Sequence, residues 1–325
     1  MKKVNKWVLI VSILIVTAGA LISFKLLNYR GLPNKIILIP KSISPEFEFW
    51  QTVRMGAELA AKEENVQIET RGPLLERNIE SQKEILKEAI NEQADIILLA
   101  ATNVDALKDL VEEAKLQGIT VLTVDSTVEG VQNITNVATD SIQASAVLTK
   151  YLIERLGQQG EIIMINFVEG ASTANERDLG YKQEASKYKD IIMHPTVYTE
   201  GTTSDAYRAT KQILKDYPNL KGIVAANQQV TDAVCDAVQE MDLQGKVKVV
   251  GFDSSRNIIY ALEKNVIDAI VVQKPFNMGY LAVKHAIQAY RGKKIASYLD
   301  TGYKLINKET LYATENQKLL YPIIK

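Results

Sequence analysis

The chain has 325 residues, 46% of them hydrophobic and 24% charged, and its 38 basic and 39 acidic side chains leave a formal net charge of −1. This excludes a disordered polyampholyte and a polytopic membrane protein, and so balanced a chain has no field to draw in nucleic acid or an acidic lipid surface. One cysteine, Cys235, and two histidines, His194 and His285, exclude a disulfide framework and a His/Cys zinc centre, so any metal would need oxygen ligands.

The chain opens with an uncharged run, Val8 to Phe24, preceded by Lys2, Lys3 and Lys6 and followed by Lys25 and Arg30. Such a segment directs export, with its basic flank left in the cytoplasm and the rest of the chain outside. Ala18-Gly19-Ala20 offers a small-residue cleavage site, yet Leu21, Ile22, Phe24, Leu26 and Leu27 carry the apolar run past it. Trp7 to Leu27 supplies the roughly 20 residues that a membrane crossing needs. We read residues 1–33 as an uncleaved single-pass anchor and linker, with a cleaved signal peptide as the alternative. No cysteine precedes Cys235, which excludes lipid attachment near residue 20.

From Lys35 onward short β-branched runs alternate with longer amphipathic ones. The expected strands are Ile36–Ile39, Val66–Thr70, Ile96–Leu99, Thr120–Val124, Ile162–Asn166, Ile191–Val197, Gly222–Ala225, Val247–Gly251 and Asp268–Val272. Between them the period becomes helical: Leu107, Leu110, Val111 and Ala114 form one stripe, Ala144, Val147, Leu148, Tyr151 and Leu152 another, and Gly279 to Tyr290 a third. Runs such as IILL and KVVGF are apolar on both faces, as parallel strands are when helices cover both sides of the sheet. The fold class is therefore α/β and doubly wound, in two lobes. The series pauses at the polar stretch Glu129 to Asn133, which composition alone marks as the lobe boundary.

No nucleophile elbow, zincin, phosphate-loop or dinucleotide-binding motif is present, so neither catalysis nor a cofactor is expected. His194, beside Pro195, and His285, beside a helical stripe, read as structural, and Cys235 among Ala233, Val234 and Ala237 as a small core residue. Four polar residues stand where apolar strands end: Asp125, Asn227, Asp253 and Gln273. In an open parallel sheet the ligand crevice lies beyond the carboxyl ends of the strands, so these side chains should converge on one site. Each Asp or Asn alone could be a helix cap, but four in register, one of them a Gln, favour binding. Phe47, Phe49 and Trp50 follow the first strand, and Arg177 follows Asn166. Aromatic faces suit sugar C–H groups, carboxylates accept from hydroxyls and a guanidinium donates paired hydrogen bonds, so the set fits a polyol.

In these residues the chain resembles the type I periplasmic sugar-binding proteins, the ribose-binding-like group that shares its core with the LacI-type repressors. The resemblance runs from Asn34 to Lys325 and rests on Phe49-Trp50 before Gly56-Ala57, Thr123-Val124-Asp125, Asn175-Glu176-Arg177, Ala225-Ala226-Asn227, Val249-Val250-Gly251-Phe252-Asp253, and Gln273 with Pro275. It implies two Rossmann-like lobes, 34–139 with 274–301 and 140–273 with 302–325, joined by a three-segment hinge near Thr139, Gln273 and Thr301. It further implies a monosaccharide held by Phe49, Trp50, Asp125, Arg177, Asn227, Asp253 and Gln273. Three positions depart from the family's pattern: Gln228 stands where an Asp is usual, Ser126 where an Arg often follows the first binding Asp, and Ala100 where a polar residue is expected. Ribose itself is thereby left open against xylose, another pentose or a hexose.

The apolar segment occupies the place of a repressor's DNA-binding head, which removes that branch. Together with the resemblance it suggests the membrane-anchored, xylose-sensing binding proteins that signal to a histidine kinase. The alternative is the substrate-binding subunit of a sugar ABC importer. A more remote one is an exported carbohydrate-active enzyme using Asp125 and Asp253 as its carboxylate pair.

Overall fold

The computed structural model describes residues 31–320 together with Thr17. The expected anchor thus lies, but for Thr17, outside the described residues, among which no helix is long and apolar enough to cross a membrane.

The chain runs β1 (Lys35–Ile39), α1 (Glu48–Glu64), β2 (Gln67–Thr70), α2 (Ile79–Asn91), β3 (Ile96–Leu99), α3 (Lys108–Leu116), β4 (Thr120–Val124) and β5 (Thr135–Ala138). It continues through α4 (Ser141–Arg155), β6 (Gly160–Asn166), α5 (Ser172–Ala185), β7 (Ile191–Met193), β8 (Val197–Tyr198), α6 (Thr203–Asp216), β9 (Leu220–Ala225), α7 (Gln228–Glu240), β10 (Lys248–Phe252) and α8 (Arg256–Glu263). Then follow β11 (Ala269–Gln273), α9 (Pro275–Tyr290), β12 (Tyr298–Asp300), β13 (Tyr303–Asn307) and α10 (Thr314–Leu320). A six-stranded sheet is ordered β12-β5-β4-β3-β1-β2, and a seven-stranded one β13-β11-β10-β9-β6-β7 with β8 beside β6. All pairings among them are parallel except β11 with β13. The chain passes between the sheets three times, after β5, β11 and β12, so the lobes are interleaved in sequence.

β1 shows why the strands are apolar at both parities. Ile36 and Leu38 pack with Trp50, Val53 and Ala57 of α1 and with Met278 and Ala282 of α9, while Ile37 and Ile39 face Leu86 of α2 and Val111 of α3. Burial on both faces stabilises each large side chain by about 1.5–3 kcal/mol. Two helix pairs approach closely enough to need glycine. A methyl group at Gly56 would sit 2.0 Å from the Phe276 carbonyl oxygen, one at Gly279 1.9 Å from that of Val53, and one at Gly180 2.2 Å from that of Ile142.

The polar stretch 129–133 does not end the first sheet. β5 follows it and pairs with β4, and the chain leaves only after Ala138. The expected strand Ile191–Val197 is divided into β7 and β8, because Pro195 supplies no N–H to the ladder.

Candidate functional site

A cavity lies between the lobes, beyond the carboxyl ends of β1, β4, β6, β9, β10 and β11. Phe49, Trp50, Asp125, Arg177, Asn227, Asp253 and Gln273 all line it, as does Phe47. Its lining also includes Gln228, which the sequence marks only as a departure from the family's pattern, and Lys41, Glu76, Phe167, Thr173 and Gln229, which sequence reasoning missed. Lys41 obeys the strand-end rule that found Asp125, one residue late because Pro40 intervenes. Glu76 sits in the loop after β2 with no such signal; its placement depends on Trp50, whose indole Nε1 donates to Glu76 Oε1 at 2.9 Å.

In the first lobe Asp125 turns the chain out of β4 at φ 62°, and its N–H donates to the Val137 carbonyl at 3.0 Å. The buried Lys41 ammonium stands 3.1 Å from Asp125 Oδ2 and donates to Thr173 Oγ1 at 3.0 Å. Ser126 Oγ donates to Asp125 Oδ2 at 3.1 Å and lies 3.2 Å from Thr173 Oγ1. Thr173 belongs to α5, so this network ties the two lobes. Phe49 meets Trp50 edge-on with ring centroids 4.9 Å apart.

In the second lobe Asp253 leaves β10 at φ 67°, and its N–H donates to the Val271 carbonyl at 2.8 Å. Gln273 Nε2 donates to Asp253 Oδ1 at 2.8 Å. The Arg177 guanidinium lies 4.1 Å from the Phe252 ring centroid and donates from Nη1 to the Ala226 carbonyl at 2.5 Å. Asn227 Oδ1 caps α7 by accepting from the Val230 N–H at 3.0 Å, so this residue both caps a helix and lines the cavity. Gly251 lets α7 approach β10: a methyl group there would stand 2.4 Å from Thr231 Cγ2.

Burial raises the Asp253 carboxyl above the usual carboxylate range, opposed by nearby Arg177 and the Gln273 amide. Burial likewise raises Glu76, opposed by Lys41. Glu176, on the turn of α5 beside Arg177, is pushed up to about 7 by burial and then by Asp125. The histidines lie outside the cavity lining; His194 Nε2 is 2.8 Å from Glu161 Oε2, and its ring leans on Tyr217. Cys235 is buried and its thiol is raised well above normal by burial, which makes it a poor nucleophile. No His, Cys, Asp and Glu cluster among the described residues could hold a metal ion.

Two parallel-sheet lobes, three crossings and a polar cavity between strand ends define a two-lobed α/β binding protein. The chain belongs to the periplasmic binding protein domain family, whose model matches residues 36–294, a family of binding proteins rather than enzymes. It is 24% identical over 263 residues to the ribose import binding protein of Bacillus subtilis (strain 168), covering 79% of this chain and 82% of that protein. A carbohydrate transporter solute-binding protein from Agrobacterium radiobacter, solved with D-arabinose, superposes with TM-score 0.84 at 25% identity, covering 89% of this chain and 99% of that one. A sugar transporter from Clostridium phytofermentans superposes with TM-score 0.77 at 33% identity, covering 85% and 99%.

Proposed function

We propose that the protein is an extracytoplasmic receptor for a pentose or hexose, closing on it by hinge motion and delivering it to an ABC permease. The observation that carries this reading is the convergence on one cavity of aromatic rings, buried carboxylates, amides and a guanidinium from both lobes. Phe49 and Trp50 supply ring faces, Asp125 and Asp253 accept from hydroxyls, and Arg177, Asn227 and Gln273 complete the polar contacts. The closing units are residues 34–139 with 274–301 and 140–273 with 302–325, a division that strand membership of the two sheets supports. The ribose and D-arabinose of the relatives support the ligand class, and the relatives' part in transport supports the delivery role. A second reading, an anchored sugar sensor that signals to a histidine kinase, is favoured by the uncharged run Val8 to Phe24.

Calorimetric titration with a panel of pentoses and hexoses tests the ligand class. At least one sugar should bind, and Asp253→Ala should weaken it by about a hundredfold with the fold intact, because the variant removes charge-assisted hydrogen bonds in a buried site. An Asp253→Ala protein with unchanged affinity overturns the site. Copurification from native membranes with permease or with kinase separates the two roles.

A further inference from the structure

The polar groups of the cavity are unevenly satisfied. In the first lobe Lys41, Asp125 and Glu76 all have partners within the protein. Among the described residues, the buried side-chain atoms of the lining with no hydrogen-bond partner all belong to the second lobe: Arg177 Nε, Gln228 Oε1 and Gln273 Oε1. Gln228 is 5% exposed and lines the cavity together with Gln273 and with the Asp253 carboxylate that Gln273 contacts. Two unpaired amide oxygens therefore belong to the same cavity lining as this carboxylate. A buried acceptor without a donor costs about 1–3 kcal/mol, which a protein recovers only if something donates to it.

From this we infer that Gln228 is a specificity-determining residue of the cavity, reading a donor hydroxyl through Oε1 next to the one read by Gln273. The inference deepens the sugar-binding reading and rests on it. Its content is a ligand class. Three acceptors of one cavity lining, Gln228 Oε1, Gln273 Oε1 and the Asp253 carboxylate, call for O–H donors, and a hydroxyl that donates can accept from Arg177 Nε in turn. A sugar carboxylate or phosphate offers only acceptors to this wall and leaves both amide oxygens unpaired beside a repelling charge. The site therefore takes an uncharged sugar with adjacent free hydroxyls and rejects sugar acids and sugar phosphates. The first lobe contributes the aromatic faces and the Asp125 carboxylate, which Lys41 already pairs.

The test is calorimetry and thermal unfolding of the full chain and of Gln228→Met, which keeps the shape and removes the acceptor. The probes are D-ribose, D-xylose, D-arabinose, D-allose, D-glucuronate and ribose 5-phosphate. The expected result is binding of at least one neutral sugar, affinity for the two charged probes lower by about a hundredfold or more, and a loss of about tenfold or more in Q228M. The sugar-free Q228M protein should melt no lower than its parent, because an apolar isostere removes an unpaired polar atom. Unchanged affinity in Q228M, a charged probe bound as tightly as a neutral sugar, or a parallel fall of affinity and melting temperature each overturns the assignment while leaving sugar binding in place. Failure of the unaltered protein to bind any neutral sugar overturns the sugar-binding reading itself, and this inference with it.

Discussion

Asp125 and Asp253 hold matching places in their own lobes. Each ends a strand in the left-handed region, and each sends its N–H to the carbonyl of the neighbouring strand. Asp and Asn enter that region more readily than other non-glycine residues, so one residue type serves both the sharp exit and the acceptor in the cavity. Glu176, nearby on α5, is a measurable electrostatic liability. Burial on folding, and then the Asp125 charge, push its carboxyl from the ordinary 4.5 up to about 7. The folded state thus keeps a proton that the unfolded state has released, and stability contributed below pH 4.5 is lost as pH rises through 7. Glu176→Gln should match the parent at about pH 4.5 and exceed it at pH 8 by about 1 kcal/mol, as read from thermal unfolding across that range; a constant offset would refute this cause. The strand-end residues were legible because topology alone brings them together. Glu76 was not, because it is held from a distant loop by Trp50, and Gln228 showed only as a departure from the family's pattern, because nothing in the sequence says which of its atoms lacks a partner.

At the scale of elements, the glycine contacts explain why particular helices face one another. α1 and α9 follow β1 and a hinge crossing in the first lobe, and α5 and α4 follow β6 and a hinge crossing in the second. In both pairs a glycine admits a backbone carbonyl of the partner helix, at Gly56 and Gly279 in one and Gly180 in the other. Gly279→Ala should lower stability by about 1–3 kcal/mol, because the carbonyl in its way is part of a helix and cannot rotate aside as a side chain would. An unchanged melting temperature would show that the helices separate freely. The apolar strands and helical stripes were legible because their burial is periodic along the chain. β5, β12 and β13 were not: β5 and β12 are short, β12 is also largely exposed, and β12 and β13 pair with strands distant in sequence, β5 and β11.

At the scale of the whole molecule, the lobes meet through a small number of polar links. The Val104 N–H donates to the Gly170 carbonyl at 2.9 Å, the Thr127 N–H to Ser172 Oγ at 3.0 Å, and Arg77 pairs with Glu200 across the mouth of the cleft. The Arg77–Glu200 pair is 48% and 60% exposed, so it is worth about 1 kcal/mol at most. Arg77→Glu should enlarge the radius of gyration of the sugar-free protein in X-ray scattering, and adding Glu200→Arg should restore it; identical radii in all three proteins would show that the pair does not bias closure. The interleaving of the lobes also bears on how the chain is made. The first sheet receives its covering helix α9 and its edge strand β12 only when residues 275–300 have emerged, long after β1 to β5. A nascent chain therefore carries an incompletely covered sheet through most of its synthesis, since contacts this remote in sequence close late. A chain truncated before Pro275 would lack both α9 and β12 and leave the first sheet without its covering helix and its edge strand.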